Sequence, residues 1–204
     1  IINNEKIGIF GDYDVDGASS TAILGKFFEH IKCEYEIYIP DRKSEGYGPS
    51  INGFEKLIDK NVNVIFTVDC GTLSYKPIDF ANTKGVDVLV LDHHQSEIKL
   101  PSAFSIINPN RLDDNSKLNY LCASGVCFMF LISLNRELRR LNWYKENNLI
   151  EPDLIYYLDL VSLGTVCDVV PLIDLNRAIV KQGLKVLNLK KNLGLKTLLN
   201  ICGV

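Results

Sequence analysis

Residues 6–17 read KIGIFGDYDVDG, an apolar run that stops at a glycine, breaks into three aspartates (Asp12, Asp14 and Asp16) and meets a second glycine. A short apolar run bounded by a turn signal fits a strand covered on both faces, as the strands of a parallel sheet are. Carboxylates placed just after such a strand sit at its C-terminal end, where open α/β sheets bind their ligands. The stretch therefore points to a fold class and to the edge of the sheet on which chemistry should be sought.

Outward from it, further strands are expected at 34–39, 62–68 (VNVIFTV), 86–91 (VDVLVL) and 104–107. Helical spacing fills the intervals at 18–31, 51–60 and 76–84. Strands alternating with helices imply an α/β fold, a parallel β-sheet flanked by helices. Beyond residue 121 the pattern is helical only, at 121–141, 153–163 and 175–189. A last amphipathic stretch, 184–199, is expected to expose an apolar face wherever no neighbour covers it. Polar stretches at 111–119 and 142–152 read as loops. The second divides an α/β core, 1–141, from a helical extension, 142–204, of the same domain.

Composition narrows the class. The chain has 204 residues, 47% hydrophobic and 23% charged, enough for one large buried core. Net charge is −3, so the basic footprint of a nucleic-acid binder is missing overall. Contact with nucleic acid would have to rest on local charge, on metal ions or on parts outside this chain. The sequence starts at Ile1 without an initiator methionine and is expected to be a piece of a longer protein. No signal-peptide pattern is visible. The longest apolar run, 121–134, falls short of the roughly 20 residues a spanning helix needs, so a membrane is not expected. Six cysteines (Cys33, Cys70, Cys122, Cys127, Cys167 and Cys202) form no C-x-x-C pair and read as free thiols of a reducing cytoplasm. Zinc at Cys122 and Cys127 would lack a second ligand pair.

Chemistry collects at the strand ends. After the third strand comes Asp69 in VDCGT; after the fourth come Asp92, His93 and His94 in LDHH. Asp168 lies far downstream in SLGTVCDVVPL, an otherwise apolar stretch. Carboxylates and imidazoles converging on one edge suit a hard divalent ion such as Mn²⁺. So many carboxylates would repel one another unless cations neutralised them. Two ions about 3.5–4 Å apart, sharing a carboxylate, would use them all and suit in-line phosphoryl displacement by water. Gly17 and Gly71 would allow tight turns and close approach of a phosphate, and a helix starting near Ala18 would aim its N-terminus at that anion. Each aspartate taken singly has another reading. Asp12 or Asp92 alone could equally cap a helix or orient a ligand, and His30 reads as structural. Adjacent His93 and His94 diverge, so one could ligate metal while the other faces substrate.

These segments, GDYDVDG, VDCGT, LDHH and GTVCDVVPL, resemble in order the four motifs of the DHH phosphoesterase superfamily. YIPDRKSEGYGPS (38–50), INPNR (107–111), ASGVCFMF (123–130) and DVVPLIDLNRAIVKQGL (168–184) are similar to further segments of its RecJ branch. The resemblance implies a 5′-to-3′ exonuclease that hydrolyses single-stranded DNA to mononucleotides with two Mn²⁺ or Mg²⁺ ions, in repair and recombination. It implies that Asp14 and Asp16 each bind one ion, that Asp69 bridges both, and that His93 and Asp168 complete the second. His94 would contact the scissile phosphate or protonate the leaving group, supported by Asp12 and Asp92. Arg42, Tyr47, Gly71 and Asn108 would lie on the substrate side. Partners implied are single-stranded DNA and recombination or replication proteins, with a monomeric enzyme. Rival activities are another DHH phosphoesterase (an oligoribonuclease, a small-nucleotide phosphatase or a cyclic-dinucleotide phosphodiesterase) and a non-catalytic scaffold, which should have lost its ligands. Cys167 departs from the pattern, standing where the family has a small residue. The DHHA1 and OB-fold regions that follow in the family are not in this sequence.

Overall fold

The computed structural model describes residues 1–203; Val204, the last residue of the expected extension, lies outside them. Five parallel strands form one sheet: β1 (Ile7–Phe10), β2 (Tyr35–Tyr38), β3 (Val64–Val68), β4 (Asp87–Leu91) and β5 (Ser105–Ile107), in the order β2-β1-β3-β4-β5. β1 is buried at all four positions, as its unbroken apolar run requires, while β2 at the edge is half-exposed. The chain leaves β1 toward one edge and returns through β3 toward the other. The switch point falls between β1 and β3, where such sheets open a crevice.

The two-residue period of the strands sorts side chains into two cores. Ile7, Ile9, Phe66, Val68 and Leu91 face one side and pack with helix α1 (Val15–His30). Phe10, Ile65, Val88 and Val90 face the other, with α2 (Ile51–Ile58) and α3 (Tyr75–Thr83). Phe10, Phe27, Phe28 and Phe54 are fully buried, each contributing roughly 1.5–3 kcal/mol of apolar transfer. The first core continues into α4 (Ala123–Arg140), α6 (Leu158–Cys167) and α7 (Asp174–Asn188), which stack over α1. Gly183 of α7 lets that helix settle against Ser162, whose Cβ lies 2.5 Å from where a Cβ on residue 183 would stand.

Three expected boundaries shift, each for a local reason. α1 begins at Val15, three residues before the expected start, because Asp14 caps it by accepting the Gly17 amide at 2.9 Å. The expected loop 142–152 contains a helical turn, α5 (Trp143–Glu146), whose Tyr144 is buried and donates its hydroxyl to Asn135. The stretch 184–199 is not one helix. α7 ends at Asn188, Lys190 turns to φ +49°, and Asn192 caps α8 (Leu193–Ile201) by accepting the Leu195 amide. No helix of the described residues is long and apolar enough to cross a membrane.

Candidate metal centre

The strand register sets the site. Phe10 pairs with Thr67, and Val68 with Leu91. Asp12, Asp69 and Asp92 therefore emerge together from three adjacent strands at one edge of the sheet. The Asp69 amide donates to the Leu91 carbonyl (3.1 Å) and the Asp92 amide to the Ile107 carbonyl (3.1 Å), so both backbones stay tied to the sheet as they leave it. Asp69 takes φ +60°, a conformation tolerated by aspartate better than by most residues. Asp168 arrives from elsewhere, at the C-terminal end of α6.

Three ligand groups result, each with donor atoms within 4.8 Å of one another: Asp12, Asp14 and Asp69; Asp16, His93 and Asp168; Asp69, His93 and His94. His93 Nε2 stands at the centre, 3.3 Å from Asp69, 3.7 Å from Asp168 and 3.9 Å from Asp16. Burial, with the nearby Asp16 and Asp14 charges, pushes the Asp69 carboxyl up to about 10. Burial likewise raises Asp12 and Asp168. One buried Asp12 oxygen, Oδ1, has no hydrogen-bond partner. Oxygen-rich donors, mutual repulsion and an unpartnered carboxylate oxygen fit divalent cations of the Mg²⁺ or Mn²⁺ kind.

Asp16 is held in a way its position in the sequence does not suggest. Both its oxygens accept amides at the start of α4, Ala123 at 2.6 Å and Ser124 at 3.0 Å, where the helix dipole favours negative charge. Gly164 of α6 closes on the same carboxylate, since a Cβ there would stand 2.6 Å from Asp16 Oδ1. A carboxylate oxygen has a second lone pair, so these bonds leave ligand capacity.

Asp92 does something different. Its oxygens accept the Thr72 amide (3.0 Å), the His93 and His94 amides (2.7 and 3.2 Å) and His94 Nδ1 (2.7 Å). Burial alone would raise its pKa, but the His94 and Thr72 bonds prevail and bring it to about 2. The same bond to Asp92 raises His94. His94 is 47% exposed at its side chain, and the Tyr47 hydroxyl lies 3.3 Å from its ring nitrogens while donating to the Asp69 carbonyl at 2.9 Å.

The expected substrate residues divide. Tyr47 is exposed beside His94, between Gly46 and Gly48, both at φ near +80°. Arg42 is exposed, its guanidinium 5.3 Å from the centre of the Tyr13 ring. The other two are enclosed by protein. Asn108 is 3% exposed, and its amide nitrogen donates to Thr72 Oγ1 and the His94 carbonyl, both at 2.8 Å, so both donor hydrogens are engaged within the protein. Gly71, at φ +112°, has no room for a Cβ against the Thr67 hydroxyl, so packing and backbone already require glycine. At the N-terminus of α1 the Gly17 amide is taken by the Asp14 side chain. Sequence reading missed Thr72 and Asn110. Asn110 donates to the His93 carbonyl, so INPNR secures both histidine carbonyls. The asparagines of that segment were the available signal.

Residues 6–165 match the profile of the DHH family, N-terminal domain. Among curated proteins, the chain is 40% identical over 185 residues to the single-stranded-DNA-specific exonuclease RecJ of Dickeya dadantii, covering 90% of this chain and 32% of that one. It is 35% identical over 203 residues to the protein of the same name from Bacillus subtilis, covering 100% and 24%. Among solved structures, an exonuclease RecJ bound to manganese superposes with TM-score 0.83 at 30% identity, over 100% of this chain and 49% of that one. RecJ of Thermus thermophilus in complex with Mn²⁺ gives 0.76 at 27% identity, over 98% and 27%. The chain thus spans about a third or less of the length of these curated relatives.

Proposed function

The chain belongs to the DHH family, and from that premise we propose that it is the catalytic part of a metal-dependent exonuclease degrading single-stranded DNA 5′ to 3′ to mononucleotides. The observation that carries the reading is the convergence of five aspartates and two histidines, from three strand ends and α6, into three adjoining ligand groups. Relatives named single-stranded-DNA-specific exonuclease RecJ, and RecJ structures holding Mn²⁺, support it. In this reading residues 1–141 form the catalytic core and 142–204 its helical extension. The enzyme works in the cytoplasm, in repair and recombination, alongside recombination or replication proteins.

Asp12 and Asp14 would hold one cation and Asp16, His93 and Asp168 the other, with Asp69 shared. When bound, the pair neutralises the crowded carboxylates, acidifies water and stabilises charge developing on the phosphate. Asp92 fixes the His94 ring through Nδ1, leaving Nε2 as the nitrogen that faces substrate. His94 would be placed to bind the scissile phosphate or to pass a proton to the leaving oxygen. Tyr47 limits how the ring can swing by placing its own ring edge-on at 5.7 Å. Arg42 supplies positive charge beside the cluster.

The test is a Mn²⁺-dependent digestion by the full-length protein of labelled single-stranded DNA, the same strand in duplex, RNA of equal length and a dinucleotide, with His93→Ala as control. Mononucleotides released from the single DNA strand, and lost in the control, are expected. Cleavage of the dinucleotide alone would move the chain to a small-substrate phosphodiesterase.

A further inference from the structure

Next to the carboxylate cluster, and sharing Asp14 with it, lies an apolar groove of about 390 Å³. Tyr13, Val15 and Ala18 at the start of α1 form one wall, Leu160 and Leu163 of α6 the other. Ser19 is the only side chain lining it, besides Asp14 and the Tyr13 hydroxyl, with a polar group. Val15 is 41% exposed and Ala18 is exposed, so the groove stands open to solvent. On Tyr13, as already described, rests the guanidinium of Arg42, which makes no ion pair among the described residues.

A phosphate-handling centre, an uncommitted cation and an adjoining apolar slot match the three parts of one ligand: a phosphate, its charge and a ring. We propose that this groove seats the nucleobase of a nucleotide flanking the bond that is cut, a proposal that rests on the nuclease reading above. Packing of another polypeptide segment there would bury the Asp14 carboxylate and the Arg42 guanidinium together with the apolar walls, withdrawing two charged groups from water at a cost. A nucleotide leaves both facing its phosphate side. With so few donors or acceptors in its lining, the groove cannot tell one base from another, which suits an enzyme that degrades any sequence.

The test uses full-length protein and two oligonucleotides, one intact and one with the bases flanking the scissile bond removed. Cleavage with Mn²⁺ is read as kcat/KM, and binding in EDTA by fluorescence anisotropy. Ala18→Gln keeps a good helix former while plugging the groove; Val15→Ser removes part of its wall without adding bulk. Removing the bases should weaken binding to the wild type about tenfold. Ala18→Gln should lower binding and kcat/KM on the intact strand by about the same factor and change the abasic strand less than twofold. Val15→Ser should show the same selectivity with a smaller loss. Equal losses on both strands, or none on either, would overturn the proposal. Base-dependent, groove-dependent binding in EDTA without any cleavage in Mn²⁺ would keep the groove and sink the nuclease reading instead.

Discussion

Asp69 and Asp92 leave neighbouring strands one residue beyond a paired position, and they are 2% and 1% exposed. Burial acts on both in the same direction, yet one carboxyl is driven up to about 10 and the other is brought down to about 2. The difference lies in what meets them. Asp92 is met by three backbone amides and an imidazole, Asp69 chiefly by other carboxylates and by His93. The end of β4 is thus a finished structural anchor, and the end of β3 is a crowd of carboxylates in which burial and mutual repulsion hold Asp69 toward its neutral form. The comparison separates two roles that the sequence writes identically, as an aspartate after an apolar strand.

The largest expected effect breaks the β3 side. Asp69→Ala removes a ligand from two groups at once and should lower Mn²⁺-dependent cleavage by roughly a thousandfold or more, the rate equivalent of several kcal/mol of transition-state charge stabilisation. Asp12→Ala, which removes a ligand from one group, should lose less. Equal losses, with two ions still bound by metal titration, would refute the sharing of Asp69. On the β4 side the damage should appear in stability. Asp92→Ala leaves the Thr72, His93 and His94 amides without their acceptor in a buried pocket and should destabilise the fold by about 3 kcal/mol in denaturant unfolding. Asp69→Ala should not destabilise the metal-free protein, since it relieves repulsion.

The pH dependence of the metal-free protein sharpens the contrast. Asp69 has a folded pKa raised above the unfolded value of about 3.9, so its stabilising contribution is full below pH 4 and declines as pH rises toward 10. Asp92 has the opposite sign: its contribution is full above pH 4 and disappears as pH falls toward 2. Between pH 5 and 8, then, Asp92 adds no slope and Asp69 adds a downward one, at most about 1.4 kcal/mol per pH unit for one linked proton. His94, with its raised pKa, adds a further loss as pH climbs through it. In EDTA the Tm should fall from pH 5 to 8. Asp69→Asn should make that fall shallower, leaving the part due to Asp12, Asp168 and His94, and saturating Mn²⁺ should reduce it further. A flat wild-type profile would mean that Asp69 ionises without a cation.

How much of this could be read in advance follows from where each cause resides. The five strands and the edge carrying Asp12, Asp69 and Asp92 were legible because burial periodicity and strand-end position are local properties of sequence. Asp14 as a helix cap was within reach, but the apolar spacing of α1 becomes clear only from Ala22 onward, so the sequence pattern alone starts the helix near Ala18. The grip of α4 on Asp16 joins residues 107 and 108 positions apart, and no local pattern encodes it. Asn108 is expected on the substrate side from the resemblance of INPNR alone; its bonds to Thr72 and the His94 carbonyl are tertiary contacts that no local pattern carries. Polar residue type gave the place correctly and left the partner undetermined.

The smallest effect expected tests that last point. Asn108 ties the Thr72 hydroxyl to the His94 carbonyl, and Thr72 in turn donates its amide to Asp92, so the residue braces the anchor without touching the clustered carboxylates or His93. Asn108→Ala should destabilise by about 1–2 kcal/mol, the usual consequence of unpairing buried polar groups. Metal affinity should stay within about twofold if the carboxylates and His93 are the ligands, as proposed. A substrate role would instead raise KM for single-stranded DNA with stability unchanged. A brace lowers Tm and loosens the His94 ring, so kcat should fall several-fold while KM holds. Because Asn108→Asp keeps the shape but loses the two donor hydrogens, it should behave like alanine if donation to Thr72 and His94 is what matters.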